Sequence, residues 1–539
     1  MKILGLNGGH DGALAVVEEG SLVHAREAEK GSHARHSPLG AEALMGGLLA
    51  MDDVPDVVAH SGWWKGRMGG ASFPTGAGYH GVAAPRVQSA RLLGRDATLV
   101  FTSHERSHLF CSLGLSAIPP DRDCQVLLWE GDVGRFYRVS AAGEVTPVGG
   151  AVLAEPGSRY IFAYALADPS VDADADPSLL LENAGKMMAL AAYCEDPGRP
   201  SPAEAALLEV VLGAPSAYRL RKRALASHPL CDAGVESDAM KRFARLLTDA
   251  IFDRFWAFAG QRLDLDAPLV MAGGCALNCE WNTRFRRAWR AEVFVPPCPN
   301  DSGVAIGAAI DAQQLLGGPA RVSWRVDAGE AFAADRAPGP AWRRVSASAT
   351  CVARLLEAGC VLAWVSGRFE LGPRALGHRS ILAAPFEGEM HARLNRIKQR
   401  EGFRPIAPVC QVERVHEHFD WQGPSPHMLY FQKVTDARLA AVTHVDGTAR
   451  VQTVDRGDQP ALWELLEAFR QRTGVPVLCN TSLNYKGLGF INAMSELETY
   501  AEQHGLDGFV VDGEAWIRRE LGGETGVEPD RSFEEEMAP

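Results

Sequence analysis

The chain has no run of about 18 uninterrupted apolar residues, so no membrane-spanning helix is expected. It also lacks a basic excess: 54 Lys and Arg stand against 67 Asp and Glu, a net charge of −13. An acidic surface repels nucleic acid and anionic membranes, and neither is expected as a partner. Any anion site must then be a local arginine cluster. Cysteine is sparse, 11 in 539 residues, and most lie in apolar runs. That usage predicts reduced core thiols in a cytoplasmic protein and no disulfide frame. Cys275-x-x-x-Cys279 has no partner pair at zinc spacing, which argues against a structural zinc site there. The opening Met1–Gly5 is too short, and too soon interrupted by Asn7, His10 and Asp11, for a signal peptide. No short-period repeat and no low-complexity tract occurs.

What is present fits a large globular body. A hydrophobic fraction of 46% supports a sizeable core, and the length calls for several domains or one large two-domain body. Residues 3–27 predict a three-stranded meander, with a glycine-rich turn at Asn7-Gly8-Gly9-His10-Asp11-Gly12 and a tight turn at Glu19-Gly20. Such a turn lets a phosphate approach the backbone. Leu269–Ala272 predicts a buried strand that breaks at Gly273-Gly274, followed by Asn278. Val293–Val295 predicts a strand ended by prolines, and Asp301-Ser302-Gly303 caps a helix over Val304–Leu316. The Ala-, Gly- and Pro-rich stretch Ala328–Pro340 places the domain boundary near residue 340, giving domains 1–340 and 341–539. The acidic, turn-rich tail 522–539 reads as frayed.

Five motifs carry chemistry. His104-Glu105-Arg106-Ser107-His108 puts two imidazoles on one helical face about 5–6 Å apart. The pair fits three readings: unrelated surface histidines, the H-E-x-x-H pattern of a zinc peptidase, or two ligands of a metal completed by acidic residues elsewhere. His10 reads as a polar turn residue or as a proton acceptor from an alcohol. Lys186, in Glu182-Asn183-Ala184-Gly185-Lys186-Met187-Met188, reads as a snorkelling lysine or as an ammonium for a phosphate. Gly367-Arg368-Phe369-Glu370-Leu371-Gly372-Pro373-Arg374-Ala375-Leu376-Gly377-His378-Arg379-Ser380 is arginine-dense among glycines, proline and apolar residues, which predicts a pocket for phosphate or carboxylate oxygens. About 100 residues later, Val475-Pro476-Val477-Leu478-Cys479-Asn480-Thr481-Ser482-Leu483-Asn484 predicts a buried strand running into hydroxyl and amide donors.

The last two segments together resemble the C-terminal half of the NodU/CmcH family of O-carbamoyltransferases. The resemblance extends from residue 3 to about residue 517 with motifs in order. It implies an α/β and α+β two-domain fold: an actin-like, Kae1-like N-terminal domain and a YrdC-like C-terminal domain. In the first domain it implies a metal site of His104, His108, Glu130 and Asp301. Asp132 competes with Glu130 for that place, and the metal is Fe(II), with Mn(II) or Zn(II) as alternatives. Asn7, Lys186, Gly273, Gly274 and Asn278 are implied at the nucleotide, with His10 catalytic. In the second domain Lys398-Gln399-Arg400-Glu401-Gly402-Phe403-Arg404-Pro405 resembles the YrdC signature. Arg374, Arg379 and Arg404 would grip phosphate, with Lys398 and Arg400 beside them. Asn480, Thr481 and Asn484 would orient a planar carbamoyl group. His444-x-Asp446-Gly447-Thr448-Ala449-Arg450-Val451-Gln452-Thr453 also matches a family segment, placed near that site.

The activity implied is ATP-dependent carbamoylation of a small-molecule hydroxyl. ATP with Mg and carbamoyl phosphate would form a carbamoyl adenylate in one domain, and the other would transfer the group. The alternatives are tRNA threonylcarbamoyl transfer or hydrogenase maturation on the same superfold and, in a different class, a zinc peptidase on His104 and His108. The acidic charge argues against tRNA, and the absence of zinc-finger and acylphosphatase-like segments argues against maturation. Acceptor specificity is expected in the loops Trp63–Arg86 and Leu153–Ser178.

Overall fold

The structure, a computed structural model, describes residues 1–49, 51–63, 76–176 and 180–522. The chain divides into two compact units. The first comprises Met1–Glu27 and Pro38–Trp324, the second Ala28–Ser37 and the chain from Arg325. The boundary thus precedes the stretch expected to be a linker. Residues 326–333 instead lie along second-unit backbone: Leu371 donates to Val326, Gly329 to Phe369, Phe369 to Glu330 and Ala333 to Asn492. Backbone groups paired in this way tie a segment to its neighbours whatever its composition.

The first unit holds two sheets. Strands β1 (Lys2–Asn7), β2 (Ala13–Glu18) and β3 (Ser21–Glu27) form the expected antiparallel meander. Its Glu19-Gly20 turn carries φ of +47° and +79°, the pair that a tight hairpin demands. β4 (Val57–His60), β5 (Arg86–Leu92) and β6 (Arg95–Phe101) complete the order β3-β2-β1-β4-β6-β5, with β4 parallel to β1 and to β6. The second sheet joins β7 (Cys124–Trp129), β8 (Gly134–Val139), β9 (Val145–Pro147), β10 (Leu269–Ala272) and β11 (Val293–Phe294) in the order β11-β10-β7-β8-β9. All four residues of β10 are fully buried, as a central strand between parallel neighbours requires.

Two helices sit close together in this unit, His104–Leu115 and Val304–Leu315. A Cβ on Gly307 would stand 1.8 Å from the Ser107 carbonyl oxygen, so only glycine lets the backbones approach this far. Ser103 caps the first helix, its Oγ accepting from Arg106 N at 3.0 Å.

The second unit is built on one eight-stranded sheet. Its strands are β12 (Trp342–Val345), β13 (Leu362–Val365), β14 (Arg379–Ala383), β15 (Ala407–Gln411), β18 (Gln452–Val454), β19 (Val477–Ser482), β20 (Gly508–Val511) and β21 (Glu514–Arg518), with β16 (Gln432–Lys433) and β17 (Thr448–Ala449) paired apart. The order is β12-β21-β20-β13-β14-β19-β15-β18. Side chains alternate between two cores, as the strand period dictates. Ala363, Val365, Ile381, Cys479 and Phe509 join one, while Leu362, Trp364, Leu382, Leu478 and Val510 join the other. The first face is covered by Leu497 and Ala501 of the Met494–His504 helix and the second by Leu465 and Phe469 of the Pro460–Thr473 helix.

Candidate functional site

In the first unit, four side chains from three places meet in the interior. His104 and His108 project from one helix face, Glu130 follows β7, and Asp301 opens the turn before the Val304–Leu315 helix. One ligand atom from each lies within 4.8 Å of the others, and all four residues are buried. His108 Nε2 is 3.0 Å from Glu130 Oε2 and 3.1 Å from both Asp301 Oδ1 and His104 Nε2. His104 Nε2 is 3.6 Å from the same two carboxylate oxygens. Asn7 holds the Asp301 backbone, its Nδ2 donating to the carbonyl at 3.0 Å.

Charge shows what such a set needs. Burial opposes every charge here. It would lower the His108 imidazole, but Glu130 and Asp301 overturn this and raise it to about 10. Burial would raise Glu130, yet His108 and His104 hold it down at about 2. Two carboxylates in a dry pocket require a cation. Two imidazoles with two carboxylates are a donor set that a divalent transition metal fits.

His10 stands at the edge of this set. Its Nδ1 lies 2.8 Å from Asp11 Oδ2 and 3.4 Å from Asp301 Oδ2, and its side chain remains 43% exposed. Burial would lower its pKa, but Asp301 and Asp11 raise it to about 9.

Two alternatives left open by the sequence, Asp132 as a ligand and a zinc peptidase, do not fit this arrangement. Asp132 does not enter the set: it accepts from Tyr218 Oη at 2.6 Å, and burial raises its carboxyl to about 6. Glu105 is turned away from the histidines and accepts from Gly81 N at 2.7 Å and from Tyr137 Oη. A zinc peptidase needs that carboxylate at the metal as general base, so the peptidase reading fails. Lys186 lies 3.6 Å from Glu182 Oε1 and over the Tyr164 ring. Gly273 has φ +88°, Gly274 opens the turn Gly274–Leu277, and Asn278 caps the next helix through Glu280 N and Trp281 N. Residues 64–75 and 177–178 of the two expected specificity loops lie outside the described residues.

Sequence reasoning missed Tyr79. Its hydroxyl donates to Glu130 Oε1 at 2.9 Å and its ring stacks on His104 at 4.3 Å. A lone tyrosine in a Gly-rich loop carries no periodic signal that could have found it.

The second unit gathers cations around β19. Asn480 lies between Leu382 of β14 and Ala407 of β15. Its Nδ2 donates to Gln452 Oε1 at 2.7 Å and Ala375 O at 3.2 Å, while its Oδ1 is buried without a hydrogen-bond partner. Thr481 is buried beside it. Lys398 Nζ donates to Ser482 O, Asn484 O and Asn484 Oδ1 at 2.6, 2.7 and 2.6 Å. Burial, then Arg400 and Arg404, push the Lys398 ammonium well below its usual range. Arg400 bonds Asn395 Oδ1 at 2.6 Å, and burial with Arg404 and Arg450 lowers it to about 9. Arg404 is partly exposed, 3.7 Å from Glu401 Oε2. Arg450 Nε is buried without a hydrogen-bond partner. This crowding of like charges is what an anion would relieve.

Arg379 is the exception among the expected phosphate ligands. It is fully buried, and its guanidinium bonds Gly367 O at 3.0 Å, His378 O at 2.8 Å and Asn492 Oδ1 at 2.8 Å. Its fork holds the loop instead of offering itself to a ligand. Arg374, partly exposed, lies on that same loop.

Family models described as Carbamoyltransferase N-terminus and Carbamoyltransferase C-terminus match residues 216–310 and 353–519. The chain is 42% identical to the 3'-hydroxymethylcephem-O-carbamoyltransferases of Amycolatopsis lactamdurans and Streptomyces clavuligerus, over 97% of this chain and 100% of each relative. It is 32% identical to Nodulation protein U of Rhizobium tropici over 91% of this chain and 92% of that protein. With near-complete coverage at these identities, the chain belongs to the NodU/CmcH family of O-carbamoyltransferases and is a carbamoyltransferase.

Proposed function

We propose that the enzyme uses ATP and carbamoyl phosphate to carbamoylate a hydroxymethyl group of a cephem-type small molecule, in two steps at two sites. The observation that carries the donor side is the Lys398, Arg400, Arg404 and Arg450 cluster beside the unpartnered Asn480 Oδ1. Cations provide for the phosphates, and an amide acceptor receives the N–H of a carbamate. Hydrolysis of carbamoyl phosphate, with water attacking and phosphate leaving, gives a carbamate, whose oxygen attacks the α-phosphorus of ATP and expels pyrophosphate. Carbamate is short-lived, so the site must hold it oriented and shielded. The second unit is read as YrdC-like and the first as Kae1-like. The strand order β3-β2-β1-β4-β6-β5 supports the latter.

Transfer is assigned to the first unit. His104, His108, Glu130 and Asp301 would hold Fe(II), or Mn(II) or Zn(II), which when bound offers an electrophile for a phosphate or carbonyl oxygen. The acceptor hydroxyl attacks the carbamoyl carbon, AMP leaves, and His10 takes the hydroxyl proton. The pull of Asp301 and Asp11 opposes this, so His10 acts as a base only when their charge is neutralised. The acceptor class rests on the 42% identity to the cephem enzymes. Incubation with ATP, carbamoyl phosphate and a 3'-hydroxymethylcephem, read by mass for a carbamoyl gain, tests the whole reading. No gain from a folded, metal-loaded enzyme would reject that acceptor. No ATP–pyrophosphate exchange with carbamoyl phosphate would reject the adenylate route.

A further inference from the structure

We propose that Tyr79 is a positioning residue of the first-unit centre, fixing the Glu130 carboxylate and the His104 ring so that their remaining ligand atoms converge. The inference rests on reading the four-residue set as a metal site. Glutamate has a freely turning carboxylate, and both of its oxygens compete for any cation. Here Tyr79 Oη donates to Oε1 at 2.9 Å, which leaves Oε2 to face His108 at 3.0 Å and His104 at 3.6 Å. The Tyr79 ring lies against His104, with centroids 4.3 Å apart and planes at 24°. Trp63 meets both rings edge-on, 5.0 Å from the His104 centroid and 5.7 Å from that of Tyr79.

Tyr79 is itself tied to the helix that bears both histidines. The first helical N–H groups have no partner within the helix. His104 N donates to Gly78 O at 3.1 Å and Glu105 N to Tyr79 O at 2.9 Å. Glu105 Oε2 accepts from Gly81 N at 2.7 Å, and Ser103 Oγ donates to Gly81 O. Glu105, in the middle of the histidine motif, thus has a structural role, anchoring the loop that carries Tyr79. The hydroxyl therefore reaches Glu130 from a support common to His104.

The test uses the full-length enzyme freed of metal and titrated with Co(II) against a competing chelator, with electronic absorption recorded. Tyr79→Phe keeps the ring and removes only the hydroxyl. Partners that orient metal ligands are worth roughly 10–100-fold in affinity, and that loss is expected together with an altered Co(II) visible spectrum. A Tyr79→Phe protein that matches wild type in affinity and spectrum, while His108→Ala abolishes binding, overturns the proposal and leaves the metal reading intact. A wild-type protein that binds no Co(II) sinks both. If Tyr79→Phe misfolds by circular dichroism, Tyr79→Met, which also removes the hydroxyl and leaves all four ligand residues intact, is titrated in the same way. Unchanged Co(II) affinity and spectrum in that variant would also overturn the proposal.

Discussion

His104 Nε2 and His108 Nε2 lie 3.1 Å apart, each within 3.6 Å of Glu130 Oε2 and Asp301 Oδ1. Four ligand atoms so close are placed to share a cation, and removal of any one takes away a quarter of the set. His104→Ala or Asp301→Ala is expected to lose bound metal and acceptor carbamoylation together. Elemental analysis of purified variants checks this, and full metal occupancy in both would end the assignment.

Arg404 is a partly exposed member of the cationic cluster, its side chain 37% exposed and its guanidinium 3.7 Å from Glu401. Arg404→Lys replaces a planar fork by a point charge. The dependence of rate on carbamoyl phosphate concentration should shift about tenfold or more, the scale of one charge-assisted bond at roughly 1.5–3 kcal/mol. An unchanged dependence would put Arg404 outside the donor site.

Asn480 and His10 belong to different units, so their roles should separate. Asn480→Ala is expected to stop pyrophosphate release yet still carbamoylate acceptor from supplied carbamoyl adenylate. His10→Ala should do the reverse, consuming ATP and carbamoyl phosphate while transferring poorly. Folded variants that lose both half-reactions equally would show one composite site.

Gly273 carries φ +88°, and a Cβ there would stand 2.4 Å from the Trp129 carbonyl oxygen. Gly273→Ala therefore meets both strain and a clash with backbone that cannot give way. A loss of at least about 1–3 kcal/mol is expected from the backbone conformation alone, measured by denaturant unfolding. Wild-type stability would contradict the geometry of the β10 exit.

Asp436 accepts from Arg438, from the Arg438 backbone N and from His418, and these bonds hold its carboxyl below the usual range. A depressed carboxyl stabilises the fold above its unfolded pKa of 3.8 and loses that contribution as pH falls below it. Asp436→Asn should lower the melting temperature at pH 7, with the difference shrinking as the pH drops below 3.8. A constant difference across that range would refute the linkage.

The opening meander, the break after β10 and the histidine pair were legible because each is a local pattern. Period-2 apolar runs, turn glycines and an i, i+4 spacing act within a few residues. Asp301 and Glu130 were reached only through a family resemblance, since nothing local ties residue 130 to residue 301. Between Glu130 and Asp132, two acids of like chemistry, only the packing around β7 chose, by giving Asp132 to Tyr218. Arg379 shows the same limit. Its neighbours in sequence suggested a phosphate grip, but Asn492, more than 100 residues away, takes its fork. The segment Ala28–Ser37 likewise joined the second unit, where Lys30 Nζ reaches the Glu370 carbonyl. Local pattern determined which elements form and which residues carry charge or ligand atoms. Tertiary structure decided which of those groups are already satisfied by the protein and which remain for a ligand, because that depends on partners far along the chain.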